Sequence, residues 1–250
     1  MENLEQAKHL VSEAKSIYII PEENSNPDAV AAALALFYTL KELDKNVNLI
    51  IDELPEKFRF LIPSADFISL PKNFVISIPS RKTDVSQIYY EKNNEGLKIY
   101  LTVNKGNVKK DDISFYFSEA KPDLIITIGI KDFKAQLLEK LNFCGFLLDS
   151  PILNIDNNSP SGEYNKNFGK INLIRSASLA EMALDLVKNP HIESIKKEAA
   201  TCFLAGIAVY TENFGNLKVT PEIFETASLL MKRGADLKEI KDNFFKKQTD

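Results

Sequence analysis

Apolar positions organise the first fifty residues. Leu4, Ala7, Val11 and Ala14 recur at three- and four-residue steps, which predicts an amphipathic helix over 2–15. A short continuous apolar run over 16–20 predicts a buried strand. Asn24, Ser25, Asn26 and Pro27 supply turn chemistry. The stretch 28–43 is rich in alanine and leucine, so it reads as a helix buried on most sides, and 47–51 reads as the next strand. Strand, loop, helix and strand in that order make a βαβ unit, which favours a parallel sheet.

The stretch 73–117 has a different texture. Four segments rich in β-branched and aromatic residues, over 74–78, 86–90, 97–103 and 113–117, are joined by polar turns such as Asn93, Asn94, Glu95 and Gly96. That pattern predicts an antiparallel meander inserted into the α/β chain. The α/β alternation then resumes with strands over 123–128, 143–148 and 152–155 and a helix over 134–141. Helices follow over 178–187, 192–210, 221–233 and 236–245, with Gly234 where a helix C-terminal glycine is expected. The expected fold is α/β: one domain over 1–250 with a largely parallel sheet flanked by helices and a β insertion at 73–117.

Composition narrows the function classes. The 250 residues are 44% hydrophobic and 26% charged, which excludes a disordered or low-complexity chain. Lysine and arginine number 31 against 35 aspartates and glutamates, a formal charge of −4, so no global basic field draws the chain to nucleic acid. The apolar run around Leu34 and Leu36 is far short of the ~20 residues a membrane helix needs. The opening Met1, Glu2, Asn3, Leu4, Glu5 is acidic and polar where a signal peptide is basic and then apolar. Cys144 and Cys202 stand far apart in apolar contexts and read as reduced core thiols. The expectation is a cytoplasmic protein with no membrane partner.

Four segments carry a resemblance. The first runs from Asn26, Pro27 and Asp28 through Leu36, followed by 47–51 and by Leu54, Pro55, Phe60 and Leu61. The second is the strand over 123–129. The third is Ile155, Asp156, Asn157 and Asn158, followed by 168–173. The fourth is Gly206, Ile207, Ala208, Val209, Tyr210 and Thr211, then Val219, Thr220 and Pro221, then Gly234, Ala235 and Asp236. In this order and spacing they resemble the DHH phosphoesterase superfamily, in particular its nanoRNase, pAp-phosphatase and exopolyphosphatase-like branch, over nearly the whole chain.

That resemblance implies a two-metal hydrolase, typically with manganese. Two divalent ions about 3.5–4 Å apart activate water and neutralise charge on the phosphoryl transition state, so several anionic or imidazole ligands must converge. Carried over residue by residue, the family's first His falls on Glu22, its first Asp on Asn26 and its second on Asp28. The strand-end Asp of the second motif falls on Gly129. Asp156 is kept, but the name-giving histidines are Asn157 and Asn158, and the fourth-motif Asp falls on Tyr210. His9 and His191, the only two histidines, lie far from every motif. A shifted carboxylate-only centre for magnesium or manganese would draw on Glu22, Asp28, Asp132, Asp156 and Glu212. The chain stops just past the helix that would lead into the family's C-terminal substrate domain, so the expectation is that this domain is absent or that the sequence is a fragment.

Structural explanations stand beside these. Asn26 suits an N-cap, Pro27 the first helical position, and Asp28 the first turn, where it complements the helix dipole. Asp156, Asn157 and Asn158 with Ser159, Pro160, Ser161 and Gly162 make a good turn, or else the amides line a ligand cleft. Tyr210 is expected to fill the vacated cleft with its ring. Tyr89, Tyr90, Tyr100, Phe115, Tyr116 and Phe117 of the insertion are expected to fill a core, the alternative being a base-stacking platform.

The leading expectation is a degenerate DHH-type protein without metal cofactor. It would bind a small phosphorylated ligand or a protein partner, as a homo- or hetero-dimer. The alternative is an active divalent-metal phosphoesterase on small nucleotides or short oligonucleotides. A purely structural subunit is a third.

Overall fold

The computed structural model describes residues 2–22, 24–51, 54–62, 72–94, 96–119, 121–130, 132, 149–157 and 168–246. The expected helix over 134–141 and strand over 143–148 lie outside these residues, as do Cys144 and Asn158.

Helix α1 (Glu2–Glu13) leads into strand β1 (Ser16–Pro21), helix α2 (Pro27–Glu42) and strand β2 (Asn46–Leu49). Helix α2 starts at Asn26 because its side-chain oxygen accepts from the Ala29 amide at 3.2 Å, with Pro27 in the first turn. The insertion contributes strands β3 (Lys72–Ser77), β4 (Thr83–Asn93), β5 (Gly96–Gly106) and β6 (Ser114–Glu119). Strands β7 (Leu124–Ile128), β8 (Ile152–Asp156) and β9 (Ile171–Ile174) then join the main sheet.

That sheet has five parallel strands in the order β2-β1-β7-β8-β9. Its members alternate in side. Ile17, Ile19, Ile126, Ile128, Leu153 and Ile155 join the large core formed with the helices, while Tyr18, Ile20, Ile125 and Ile152 cluster on the opposite face. Strand β9 was legible only as a motif segment, since four residues are too few for a period to show.

Helices α3 (Leu179–His191), α4 (Lys197–Tyr210), α5 (Pro221–Lys232) and α6 (Leu237–Phe244) complete the chain. Helix α4 begins later than the expected 192 because Ile192–Ser194 is a separate 3₁₀ turn. Cys202 is a buried free thiol whose pKa burial pushes up. Among the described residues no helix is long and apolar enough to cross a membrane.

Residues 72–120 form a compact unit of their own. The insertion is antiparallel as expected, but its strands nest instead of running as a meander. Strand β3 pairs with β6, and β4 pairs with β5. The expectation that its aromatic residues fill a core is overturned for the described side chains, Phe117 lying outside them. Tyr89, Tyr90, Phe115 and Tyr116 are exposed and Tyr100 is half-buried. Two-stranded ribbons lack a second layer, so at least one face of each remains open.

Candidate functional site

Strand order reverses at β1. The chain adds β2 on one side of it and β7, β8 and β9 on the other. In open α/β sheets the crevice beyond the carboxyl ends of the strands at such a point is the usual place for a ligand. Two backbone hydrogen bonds align three strand ends there. The Glu22 amide donates to the Ile128 carbonyl at 2.9 Å, and the Gly129 amide donates to the Ile155 carbonyl at 2.8 Å. Glu22, Gly129 and Asp156 therefore stand at the ends of adjacent strands.

Asp28 makes the best-defined contacts of the site. Its carboxylate accepts from the Leu179 amide at 2.7 Å, the Ala180 amide at 3.0 Å and the Ser178 hydroxyl at 3.0 Å. These donors are the open end of helix α3, whose first amides have no partner within the helix and attract negative charge. The expected first-turn role in α2 is met by position, but the side chain caps a different helix. Burial raises the Asp28 pKa from an ordinary 3.8 to about 7, against the lowering effect of those three hydrogen bonds.

Packing around this carboxylate is tight. A β-carbon at Gly206 would lie 2.5 Å from the Ala180 β-carbon and 2.7 Å from Asp28 Oδ1, so only glycine lets α4 approach. At Gly129 the backbone has φ +70°. A β-carbon there would sit 3.0 Å from Asn26 Nδ2, 3.1 Å from Leu179 Cδ1 and 3.3 Å from the Ala29 β-carbon. The first, second and fourth motifs thus converge in space.

The remaining candidates have other surroundings. Glu22 is buried, and its carboxylate accepts from the Asn24 amide at 3.0 Å, the Ser25 amide at 3.2 Å and the Ser25 hydroxyl at 2.9 Å, shaping its own loop. Asp156 is fully buried at the end of β8, while Asn157 and Asp132 are half-buried. Tyr210, expected to fill the cleft, is half-buried with the Lys218 ammonium 4.2 Å above its ring. Glu212 is exposed in a left-handed stretch in which Glu212, Asn213 and Phe214 have φ of 51°, 59° and 62°.

Sequence reasoning missed two features. Ser178 is buried, caps α3 and also donates to Asp28. Its signal was a serine one residue before an amphipathic helix. A polar row also crosses the sheet: the Thr127 hydroxyl donates to Asn154 Oδ1 at 3.0 Å, and Asn154 Nδ2 donates to Asn172 Oδ1 at 3.4 Å. Asparagines at matching registers of two apolar strands were the clue.

The profile of the DHH family, N-terminal domain, matches residues 16–207. The chain belongs to the DHH family. It is 24% identical over 228 residues to the bifunctional oligoribonuclease and PAP phosphatase NrnA of Thermus thermophilus, covering 90% of this chain and 52% of that protein. The chain thus spans about half the length of the curated relative it matches. The fold also superposes on an exopolyphosphatase-related protein from Bacteroides fragilis with a TM-score of 0.68 at 16% identity, over 100% of this chain and 62% of the other.

DHH family members are metal-dependent phosphoesterases, so the residues present can be tested against a pair of divalent ions. They do not fit. Asn26 offers a neutral amide whose oxygen caps α2, Gly129 offers no side chain, and both Asp28 and Glu22 hold backbone amides. Among the described residues no group of three His, Cys, Asp or Glu side chains is placed to hold an ion.

Proposed function

We propose that this DHH-family chain keeps the phosphoesterase scaffold but not its hydrolysis, and acts by binding a small phosphorylated ligand at the carboxyl ends of β1, β7 and β8. The observation that carries this reading is the engagement of Asp28. A metal ligand must present its lone pairs to the ion, whereas both oxygens of this carboxylate face the start of α3. Gly129 supports it, because the strand-end position that supplies an acid in the family here carries the left-handed backbone that glycine favours.

The relative's name supplies the ligand class, a nucleotide carrying phosphate at both ends of its ribose. Calorimetric titration of the protein with 3′,5′-adenosine bisphosphate, with product release followed in parallel, tests the proposal. Saturable binding with no phosphate released is expected. Turnover that depends on manganese overturns it.

The similarity to NrnA favours a second reading, an active phosphoesterase whose ions rest on Glu22, Asp28, Asp132, Asp156 and Glu212. It requires Asp28 to exchange three hydrogen bonds for an ion and Glu212 to act from an exposed turn. The first reading needs neither change.

A further inference from the structure

The inner ribbon of the insertion sorts its side chains by face. In the β4–β5 register Ile88 stands opposite Leu101, Tyr90 opposite Ile99 and Lys92 opposite Leu97. Directly opposed residues share a face and alternate residues along a strand return to it. Ile88, Tyr90, Leu97, Ile99 and Leu101 therefore form the apolar part of one face, which Lys92 shares at its end. On the other, the Tyr89 and Tyr100 rings stack at 4.7 Å and the Tyr100 hydroxyl donates to Glu91 Oε2 at 2.8 Å. That second face also carries Gln87, Thr102 and Lys98.

The apolar face is open. Ile88 is 71% exposed, Tyr90 72%, Leu97 59% and Ile99 47%. A lone two-stranded ribbon is marginal in water, and a continuous apolar patch of this kind marks an interaction surface. The outer pair exposes Phe74, Ile76 and Phe115 on one side, with the Phe74 and Phe115 rings stacked at 5.8 Å, and Tyr116 on the other.

We propose that a second copy of this chain covers the β4–β5 face, the two ribbons packing apolar side to apolar side about a two-fold axis. Size is the first reason. The four exposed side chains leave about 500 Å² of apolar surface, so a pair of copies buries on the order of 1,000 Å², the lower bound of a specific interface. Charge is the second. Within 83–106, Lys92, Lys98 and Lys105 balance Asp84, Glu91 and Glu95, so two copies approach without net repulsion. The same balance offers no net pull on phosphates, which favours a protein surface over nucleic acid as the occupant. A two-fold arrangement also needs only one self-complementary patch, and this face is a single patch.

Sedimentation velocity of the full chain across the micromolar range tests the proposal. A reversible dimer is expected. Tyr90→Asp should weaken it by at least about 100-fold, as removal of a central aromatic anchor does. Gln87→Glu, on the polar face, should leave it unchanged. A wild-type monomer throughout that range overturns the proposal, as does a Tyr90→Asp dimer of wild-type strength. Because Tyr90→Asp could disturb the ribbon itself, lysine cross-linking of mixed heavy- and light-isotope wild-type protein gives an independent reading. Heavy–light links among Lys92, Lys98 and Lys105 are expected, and links confined to single chains overturn the proposal. Retention of a labelled single-stranded oligonucleotide by a monomer would assign the face to nucleic acid instead.

Discussion

Asp28 accepts a 2.7 Å hydrogen bond from the backbone amide of Leu179, 151 residues further along the chain. This contact ties the first turn of α2 to the first turn of α3 beside the carboxyl ends of the central strands. It makes this motif residue a joint between helices. If so, Asp28→Ala leaves two buried amides without acceptors and costs about 2–4 kcal/mol. Urea unfolding checks this. A bare metal ligand gives the opposite sign, since removing a carboxylate from an acidic cluster relieves repulsion.

The same group makes stability depend on pH. Its pKa is about 7 in the folded chain and 3.8 as ordinary aspartate. Between these values the folded state holds the proton and the unfolded state does not, so stability falls as pH rises through that window and levels off above it. The fall attributable to Asp28 is up to about 4 kcal/mol. Unfolding free energies at pH 5 and pH 8 should therefore differ less in Asp28→Asn than in the wild type. Equal differences in the two proteins would contradict the assignment.

Restoring the family's strand-end acid should not restore a site. Gly129→Asp forces a side chain onto φ +70° and within 3.3 Å of Asn26, Leu179 and Ala29. A loss of about 1–3 kcal/mol is expected, read as a lower melting temperature, with no gain in manganese affinity.

The three left-handed residues after α4 offer a test of opposite sign. Glu212 is exposed and sits at φ 51°, a conformation that costs a residue with a β-carbon about 1–2 kcal/mol. Glycine has no such penalty but a larger unfolded-state entropy. Glu212→Gly should thus raise stability by roughly 0.5–1 kcal/mol. A lower melting temperature would mean that the Glu212 side chain has a role its 3.5 Å contact with Asn216 does not reveal.

Much of this was legible in the sequence, for reasons that differ by element. Helix α2 announced itself through Asn26, Pro27 and an alanine-rich body, and all three act locally. Strands β1 and β7 were apolar runs bounded by turns. Strand β9 was too short to show a period, and the nesting of β3 with β6 depends on pairings across forty residues that alternation cannot reveal. At the candidate site, Gly129 lies against Asn26 and Gly206 against Asp28, contacts between motif segments far apart in the chain. The partner of Asp28 stayed hidden because a helix end recruits a distant carboxylate through backbone amides, which carry no residue signature.

The measurement that bears most directly on the central claim is manganese-dependent hydrolysis of 3′,5′-adenosine bisphosphate and a short oligoribonucleotide by the pure protein, with manganese binding titrated alongside. The account predicts no tightly held ion, and no phosphate released from the bisphosphate or nucleotide from the oligoribonucleotide above the rate of an Asp156→Ala variant. Two bound ions, with turnover that Asp156→Ala abolishes, would contradict it.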